Sequence, residues 1–404
     1  MRVLLINAVC GSGSTGKICT DIADELMKDG HEVLIVYGNG TSTYHKAVRI
    51  GSSFSVKANA LYARVSGYNA HGAILETKQI IKIIRTFKPD VVHLHNLHAN
   101  YVNLKMLLRF LSEEDIATAI TLHDCWFFTG KCTHYNSIAC TKWKTGCETC
   151  PKLKDDIPSL YFDKTKDMWR EKKDAFSQIN RLGVIGVSDW ITNEAKQSFL
   201  KDAAIIKRIY NWIDLNTFSP MNLYNSKKER FTIFCASASW DINSDRFHDL
   251  KELAEKLESS MELVVAGNVA CQEQLPANVQ FVGYINSQEE LASLYSSADV
   301  YVHLSREDTF GKVIAEALAC GIPTIVYDST ACPEIVRDGV GYTVITGDIE
   351  GIVNCCRAIQ NNGKDTYSQR CRESAERRFN KENLIAETID FYEQLISCKQ
   401  RGTK

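Results

Sequence analysis

The pattern that most restricts this chain is a run of short apolar segments alternating with longer amphipathic ones, which stops near residue 210 and then begins again. In the first run, residues 2–8, 32–37, 90–94, 116–122 and 182–187 read as strands. Helical spacing appears at 15–28, 77–87, 104–111, 164–176 and 191–200. Strands too apolar to keep one wet face belong in a parallel sheet covered on both sides. Asn211-Trp212-Ile213-Asp214 and Ser219-Pro220 read as a linker. Beyond it, strands are expected at 232–237, 262–266, 280–282, 300–304 and 324–327, with helices at 250–257, 289–295 and 309–319. The chain is therefore expected to be α/β, with two Rossmann-like, doubly wound domains in tandem. The first covers 1–205 and carries a Cys-rich insert at 125–152, the second covers 212–379, and a closing helix is expected at 380–400, apolar at helical spacing over 384–396. Doubly wound sheets bind ligands at the carboxyl ends of their strands, so a cleft between the domains is the expected active site.

The whole-chain chemistry narrows the choice of partner. A formal charge of −2 lacks the basic field of a nucleic-acid binder. Lys78, Lys82, Arg85 and Lys88 form a local basic face, read as a solvated surface with a membrane-surface reading beside it. The apolar opening Val3-Leu4-Leu5-Ile6 runs straight into Gly11-Ser12-Gly13, unlike a signal peptide. A cytoplasmic protein is the expectation. Of 15 cysteines, ten are scattered (Cys271 among them) and read as small buried hydrophobes.

Gly11-Ser12-Gly13-Ser14-Thr15-Gly16 follows the first strand and opens a helix, which fits the G-x-G-x-x-G dinucleotide fingerprint. The acidic residue expected about twenty positions on is missing, because the second strand ends Val36-Tyr37-Gly38-Asn39. Gly16-Lys17 also has phosphate-loop spacing, but Ile18 stands where a Mg²⁺-holding hydroxyl is needed. What remains is a helix N-terminus with Gly13 and Gly16 suited to a negative or closely approaching ligand; a tight turn with no ligand is the plain alternative.

The segment from Ser305 to Pro323 is the most informative. A strand ends near Ser305, a helix is expected from Thr309, and Gly321-Ile322-Pro323 stops it. Asp308 stands at the helix mouth and Glu316 eight residues later, about 12 Å along the axis. The amides of Phe310, Gly311 and Lys312 are expected as first-turn donors. An N-cap Asp308 and a surface Glu316 form the bland alternative.

This segment, with Pro333-Glu334-Ile335-Val336, resembles the E-x₇-E signature of retaining glycosyltransferases of family 4, which have the GT-B fold of two facing Rossmann-like domains. Gly30-His31-Glu32-Val33, Gly283-Tyr284-Ile285 and Thr121-Leu122-His123-Asp124 support the likeness. Leu122-His123-Asp124-Cys125-Trp126, Thr129-Gly130-Lys131-Cys132 and Lys142-Trp143-Lys144-Thr145-Gly146-Cys147 are similar to bacterial transferases building capsule, O-antigen or colanic acid. The resemblance implies transfer of a sugar, with retention, from a nucleotide-diphosphate-sugar to a saccharide or lipid-linked saccharide acceptor. The latter would bring the first domain to the inner membrane face. It implies that Asp308, with Glu307 beside it, contacts the donor sugar, that Phe310-Gly311-Lys312 hold the diphosphate, and that Glu316 binds the ribose. Gly283 and Tyr284 would read the base, and His123 would contact the transferred sugar. No cofactor or metal is implied for catalysis. Of the usual Arg/Lys diphosphate clamp only Arg246 is present, in Ser239-Trp240-Asp241-Ile242-Asn243-Ser244-Asp245-Arg246. A nicotinamide-dependent or sugar-nucleotide-modifying Rossmann enzyme, and a non-catalytic nucleotide-sugar binder, are the competing readings.

His93, His95 and His98 cluster at a strand end, as does His123-Asp124, where loop residues commonly carry function. His93 and His98 read as structural. Cys132, Cys140, Cys147 and Cys150 make C-x₇-C-x₆-C-x₂-C, which leaves three readings open: structural zinc, reduced packed thiols, or a redox pair.

Overall fold

A computed structural model describes residues 1–221, 230–269, 276 and 278–398. Cys271 and the last two residues of the expected closing helix, 399 and 400, lie outside the described residues. The chain divides into two units, 1–209 with 385–404, and 210–384.

The first unit holds strands β1 (Arg2–Asn7), β2 (Glu32–Tyr37), β3 (Ala47–Arg49), β4 (Val91–Leu94), β5 (Ala117–Leu122), β6 (Leu182–Gly186) and β7 (Ile205–Arg208). They form one sheet, every pair parallel, in the order β3-β2-β1-β4-β5-β6-β7. The second unit holds β8 (Phe231–Trp240), β9 (Met261–Val269), β10 (Val279–Gly283), β11 (Val300–His303), β12 (Thr324–Tyr327) and β13 (Gly341–Val344). Its order is β10-β9-β8-β11-β12-β13, again all parallel. The fold is thus the expected pair of doubly wound α/β units. The central strands β4, β5 and β6 are buried along their whole length, as a sheet covered on both faces requires.

Three strands escaped the sequence pattern: β3, β7 and β13. Each is the last strand at one edge of its sheet, and none is buried throughout. Edge strands are held by pairing on one side, so their side chains need not be continuously apolar. Helices Ser53–Ser66, Ile349–Asn362 and Asp365–Phe379 were also not anticipated.

The helix expected from Thr309 begins instead at Lys312, with Gly311 as its N-cap at φ 80°. The left-handed backbone at Gly311 favours glycine, and a Cβ there would also have to displace the tip of Ile314, 2.6 Å away. The bonds from Gly321 to Leu318 and from Ile322 to Ala317 close the other end, with Gly321 left-handed at φ 76°.

Helix Lys381–Ser397 closes the chain. From Ile385 on it groups with the first unit, where Gly183 of β6 leaves room for it: a Cβ there would sit 2.6 Å from Phe391 and 2.9 Å from Leu395. Phe391 is fully buried. Phe391→Ala is expected to destabilise the first unit by about 3–5 kcal/mol, the range for a fully buried aromatic. Denaturant unfolding followed in that unit checks this, and an unchanged midpoint would contradict the packing described.

Candidate active site

In a doubly wound sheet the crevice opens where strand order reverses. In the second unit that point lies between β8 and β11, and the helix Asp245–Lys256 brings Arg246 to it. The Arg246 guanidinium donates to Ser237 Oγ on β8 at 2.9 Å and to Ser305 Oγ just after β11 at 2.8 Å. It is thereby fixed across the switch point with donors to spare. The neighbouring Arg306 is consumed elsewhere, by Asp245 at 2.7 Å and by both oxygens of Asp249.

Asp308 is not a helix cap. It lies four residues before the helix, and its carboxylate receives the His303 Nε2 bond at 2.7 Å, while His303 Nδ1 meets the Tyr301 hydroxyl at 3.1 Å. Its amide bonds Thr330 Oγ1 at 2.9 Å. Burial acts to raise the Asp308 carboxyl, but His303, the Ser305 hydroxyl and Arg246 outweigh it and hold the group below its ordinary value. Asp308 is therefore an anion with a fixed orientation. His303, Asp308 and Cys332 bring their ligand-capable atoms within 4.8 Å of one another, but burial pushes the Cys332 thiol well up, so it stays protonated.

Because the helix starts late, Ile314 and Ala315 are the first amides to bond back to Gly311. Those of Phe310, Gly311, Lys312 and Val313 have no acceptor among the described residues. The donor set therefore lies at the N-cap and the residue before it as well as in the first turn. Glu316 falls one turn into the helix, buried, with Lys312 Nζ at 3.5 Å. Gly283, at φ 79°, ends β10 with open space before it, and Tyr284 beyond it is exposed.

The first unit carries a second cluster, at the carboxyl ends of β4 and β5. His95 Nδ1 and His123 Nε2 lie 2.9 Å apart, with rings stacked at 5.2 Å. Beneath them His93 is held between the Tyr392 hydroxyl and Thr121 Oγ1, each at 2.7 Å. His98 bonds Asp124 at 3.0 Å. Burial, helped by the charge of His123, drives His93 down to about 3. Burial also lowers His95, and it lowers His123 to about 4 against the opposing pull of Asp124. All three are neutral at pH 7, and one shared proton links His95 to His123. His95 Nε2 is buried without a hydrogen-bond partner among the described residues.

The glycine loop closes on itself. Gly11 N bonds Gly16 O at 3.1 Å, and a Cβ on Gly16 would sit 3.2 Å from Gly11 N. Gly13 faces open space. An open pocket of about 510 Å³ adjoins the loop, lined by hydroxyls of Ser12, Thr20, Ser42 and Tyr44 together with Asp24, and by no lysine or arginine.

The insert between β5 and helix Thr165–Ser177 contains only three short 3₁₀ turns. Its backbone carbonyls are satisfied by buried amines. Lys131 Nζ bonds Lys152, Leu153 and Asp155, and Lys172 Nζ bonds Trp126 and Thr129. Burial pushes Lys172 down to about 7. Cys132 and Cys150 form a hydrogen-bonded pair, which lowers the Cys150 thiol and raises that of Cys132. Cys147 Sγ accepts the Gly130 amide at 3.2 Å. No three of the four insert sulfurs come within 4.8 Å of one another; a four-thiolate zinc site would require Cys140 and Cys147 to close on the Cys132–Cys150 pair.

Residues 15–217 match the family model described as Glycosyltransferase Family 4, and residues 223–378 match that of Glycosyl transferases group 1. The chain belongs to glycosyltransferase family 4. It is 24% identical over 426 residues to an Escherichia coli K12 protein named for a role as a colanic acid biosynthesis glycosyl transferase, WcaC, covering 98% of this chain and 100% of that one. It is 28% identical over 118 residues to O-antigen chain mannosyltransferase B of Escherichia coli, covering 29% and 30%. Among solved structures it is similar to Anabaena Alr3699/HepE in complex with UDP, at TM-score 0.69 and 16% identity over 98% of this chain and 100% of that one. The fold is GT-B and the protein is a glycosyltransferase.

His303, Ser237 and Ser305 were not anticipated as part of the site, nor was His95 as the partner of His123. Only the position of His303 at a strand end, five residues before Asp308, hinted at its role.

The neutral histidines give a pH prediction. Their folded pKa values lie below the ordinary 6.5, so the unfolded chain binds protons that the folded one does not as pH falls below 6.5. Stability should be insensitive to these groups above that value. It should fall between 6.5 and about 4 with a slope approaching 4 kcal/mol per pH unit, three protons at about 1.4 each. Denaturant titrations at pH 7.5, 6 and 5 test this. A first unit equally stable at all three would show that the histidines titrate normally.

Proposed function

We propose that this glycosyltransferase moves a sugar, with retention of configuration, from a nucleoside-diphosphate-sugar to a hydroxyl of a saccharide acceptor during assembly of a bacterial surface polysaccharide. The observation that carries the reading is Arg246, anchored across the β8/β11 switch point beside a loop with four amides lacking acceptors. A fixed guanidinium and converging N–H groups are what a diphosphate needs, both as bound substrate and as departing dianion. Asp308, held ionised by His303, suits the hydroxyls of the transferred sugar, and Glu316 suits the ribose. In retention without an enzyme nucleophile, the acceptor hydroxyl attacks the anomeric carbon on the face the diphosphate leaves. Its proton passes to a leaving phosphate oxygen, and Arg246 with the loop amides stabilises the charge that develops there.

In the first unit, neutral His95 and His123 can exchange a hydrogen bond with a sugar without placing a competing cation beside it. The pocket by the glycine loop, lined by hydroxyls with Asp24 and His45, offers hydrogen bonds that suit a saccharide acceptor, and it has no lysine or arginine for a dinucleotide's phosphates. The polysaccharide context draws on relatives named for colanic acid and O-antigen synthesis.

Calorimetry with UDP, GDP, ADP, NAD and ATP tests the donor site. One nucleoside diphosphate should bind, and Arg246→Ala should weaken it about tenfold to a hundredfold, the loss of charge-assisted bonds worth about 1.5–3 kcal/mol. Glu316→Gln should weaken the nucleoside diphosphate but not inorganic pyrophosphate. Binding of NAD or ATP instead, indifferent to both substitutions, would overturn the assignment. The anomeric configuration of the product by NMR decides retention.

A further inference from the structure

Transfer of a sugar gives Cys332 nothing to do, yet this thiol is fully buried beside the Asp308 carboxylate, with Sγ 4.0 Å from Oδ2. His303, at the end of β11 and 7% exposed, meets the same oxygen with Nε2 at 2.7 Å. The nitrogen, oxygen and sulfur all lie within 4.8 Å of one another. Among the described residues no other three histidine, cysteine or acidic side chains converge so closely. The backbone holds the arrangement from behind. Asp308 N bonds Thr330 Oγ1 at 2.9 Å and Asp308 O accepts the Ala331 amide at 3.2 Å, which ties the loop to the segment that carries Cys332.

A metal site with these three donors has a definite size. Zinc takes sulfur at about 2.3 Å and nitrogen or oxygen at about 2.1 Å, so the edges of its tetrahedron are about 3.4 Å from N to O and about 3.6 Å from S to O. The observed 2.7 and 4.0 Å fall on either side, and shifts of about half an ångström close the difference. A ligating histidine ordinarily gives its other ring N–H to an outer acceptor. Here Nδ1 lies 3.1 Å from the Tyr301 hydroxyl, which can send its own proton to Ala236 O at 3.4 Å and accept the one on Nδ1. Nε2 is then left with a lone pair for the metal. One thiolate and one carboxylate neutralise a dication, so the set can be buried without net charge. A thiolate with an imidazole selects zinc over magnesium or calcium, which take oxygen donors. The Asp308 side chain is 29% exposed, which leaves the fourth position open to water.

We propose that His303, Asp308 and Cys332 bind one zinc ion, with water in the fourth position, and that the ion closes the donor site by taking the Asp308 carboxylate away from the sugar. On binding, the metal replaces the Cys332 thiol proton, which passes to solvent, while the His303 proton shifts from Nε2 to Nδ1. The shift within His303 releases nothing, so one proton leaves per zinc bound. The metal is an inhibitor here and takes no part in transfer. The site itself holds whether or not the donor assignment does; only the inhibition rests on Asp308 contacting the transferred sugar.

The test takes the full chain stripped of metal, titrates it with Zn²⁺ against a chromogenic chelator, and uses Co²⁺ as a spectroscopic stand-in. Wild type should show sulfur-to-cobalt charge transfer in the near ultraviolet. Cys332→Ser and Cys332→Ala should each lose one equivalent of bound zinc and the part of the cobalt spectrum that goes with it, while any metal held by the insert cysteines would persist in both. Tyr301→Phe should weaken the site by about tenfold to a hundredfold, the usual effect of removing the outer partner of a ligating histidine. Zinc should stop wild type from releasing nucleoside diphosphate from its donor, and a chelator should restore the release. Turnover of the two Cys332 variants should be the same with zinc and without. No zinc bound by wild type, or a stoichiometry and cobalt spectrum unchanged in both Cys332 variants, would overturn the site. An ion that is lost with Cys332 but leaves wild-type turnover untouched would overturn the inhibition and, with it, the contact of Asp308 with the sugar; the Arg246 diphosphate site is read separately by Arg246→Ala.

Discussion

A parallel strand reaches its neighbour only through a long crossover, and that constraint organises both units. Each crossover runs over one face of the sheet, so the loops leaving the carboxyl ends of the strands gather along one edge. Where the order reverses, between β1 and β4 and between β8 and β11, successive crossovers leave on opposite faces and the loops part. Arg246 occupies that opening in the second unit, bonded to one side chain from each flanking strand end. The site chemistry follows from topology before any particular residue is considered.

The two clusters resolve the cost of burying polar groups in opposite ways. In the second unit, Asp308 keeps its charge because a histidine and an arginine outweigh the desolvation. In the first unit, three clustered histidines give up their charge, since burial prevails and the only opposing carboxylate, Asp124, does not offset the loss of water at His123. One cluster can thus hold a permanent anion while the other holds neutral hydrogen-bonding groups.

Much of this was legible in the sequence, and the losses have physical causes. Central strands announce themselves because both faces are buried; β3, β7 and β13 did not, because an edge strand is held by backbone pairing. The spacing of Asp308 and Glu316 picked out the loop whose amides lack acceptors, yet the helix start was placed three residues early, because the left-handed turn at Gly311 has the same composition as a helix N-terminus. His303 was missed because its role comes from an in-line contact between a strand end and a loop, which no periodicity encodes. Helix Ser53–Ser66 has a sound amphipathic stripe, but periodicity does not say which way the stripe points.

The closing helix Lys381–Ser397 carries a consequence for biosynthesis. The first unit is made first, but it stays unfinished until the helix that follows the second unit emerges. Until then β6 lacks the cover that Phe391 and Leu395 give over Gly183, and His93 lacks the Tyr392 hydroxyl that receives its buried ring nitrogen. A nascent chain stalled within the second unit would expose an open apolar seam and a histidine ready to take a proton. Quality control acting on this protein therefore has one late event to inspect, the docking of a single helix, which reports that both halves of the chain have been made.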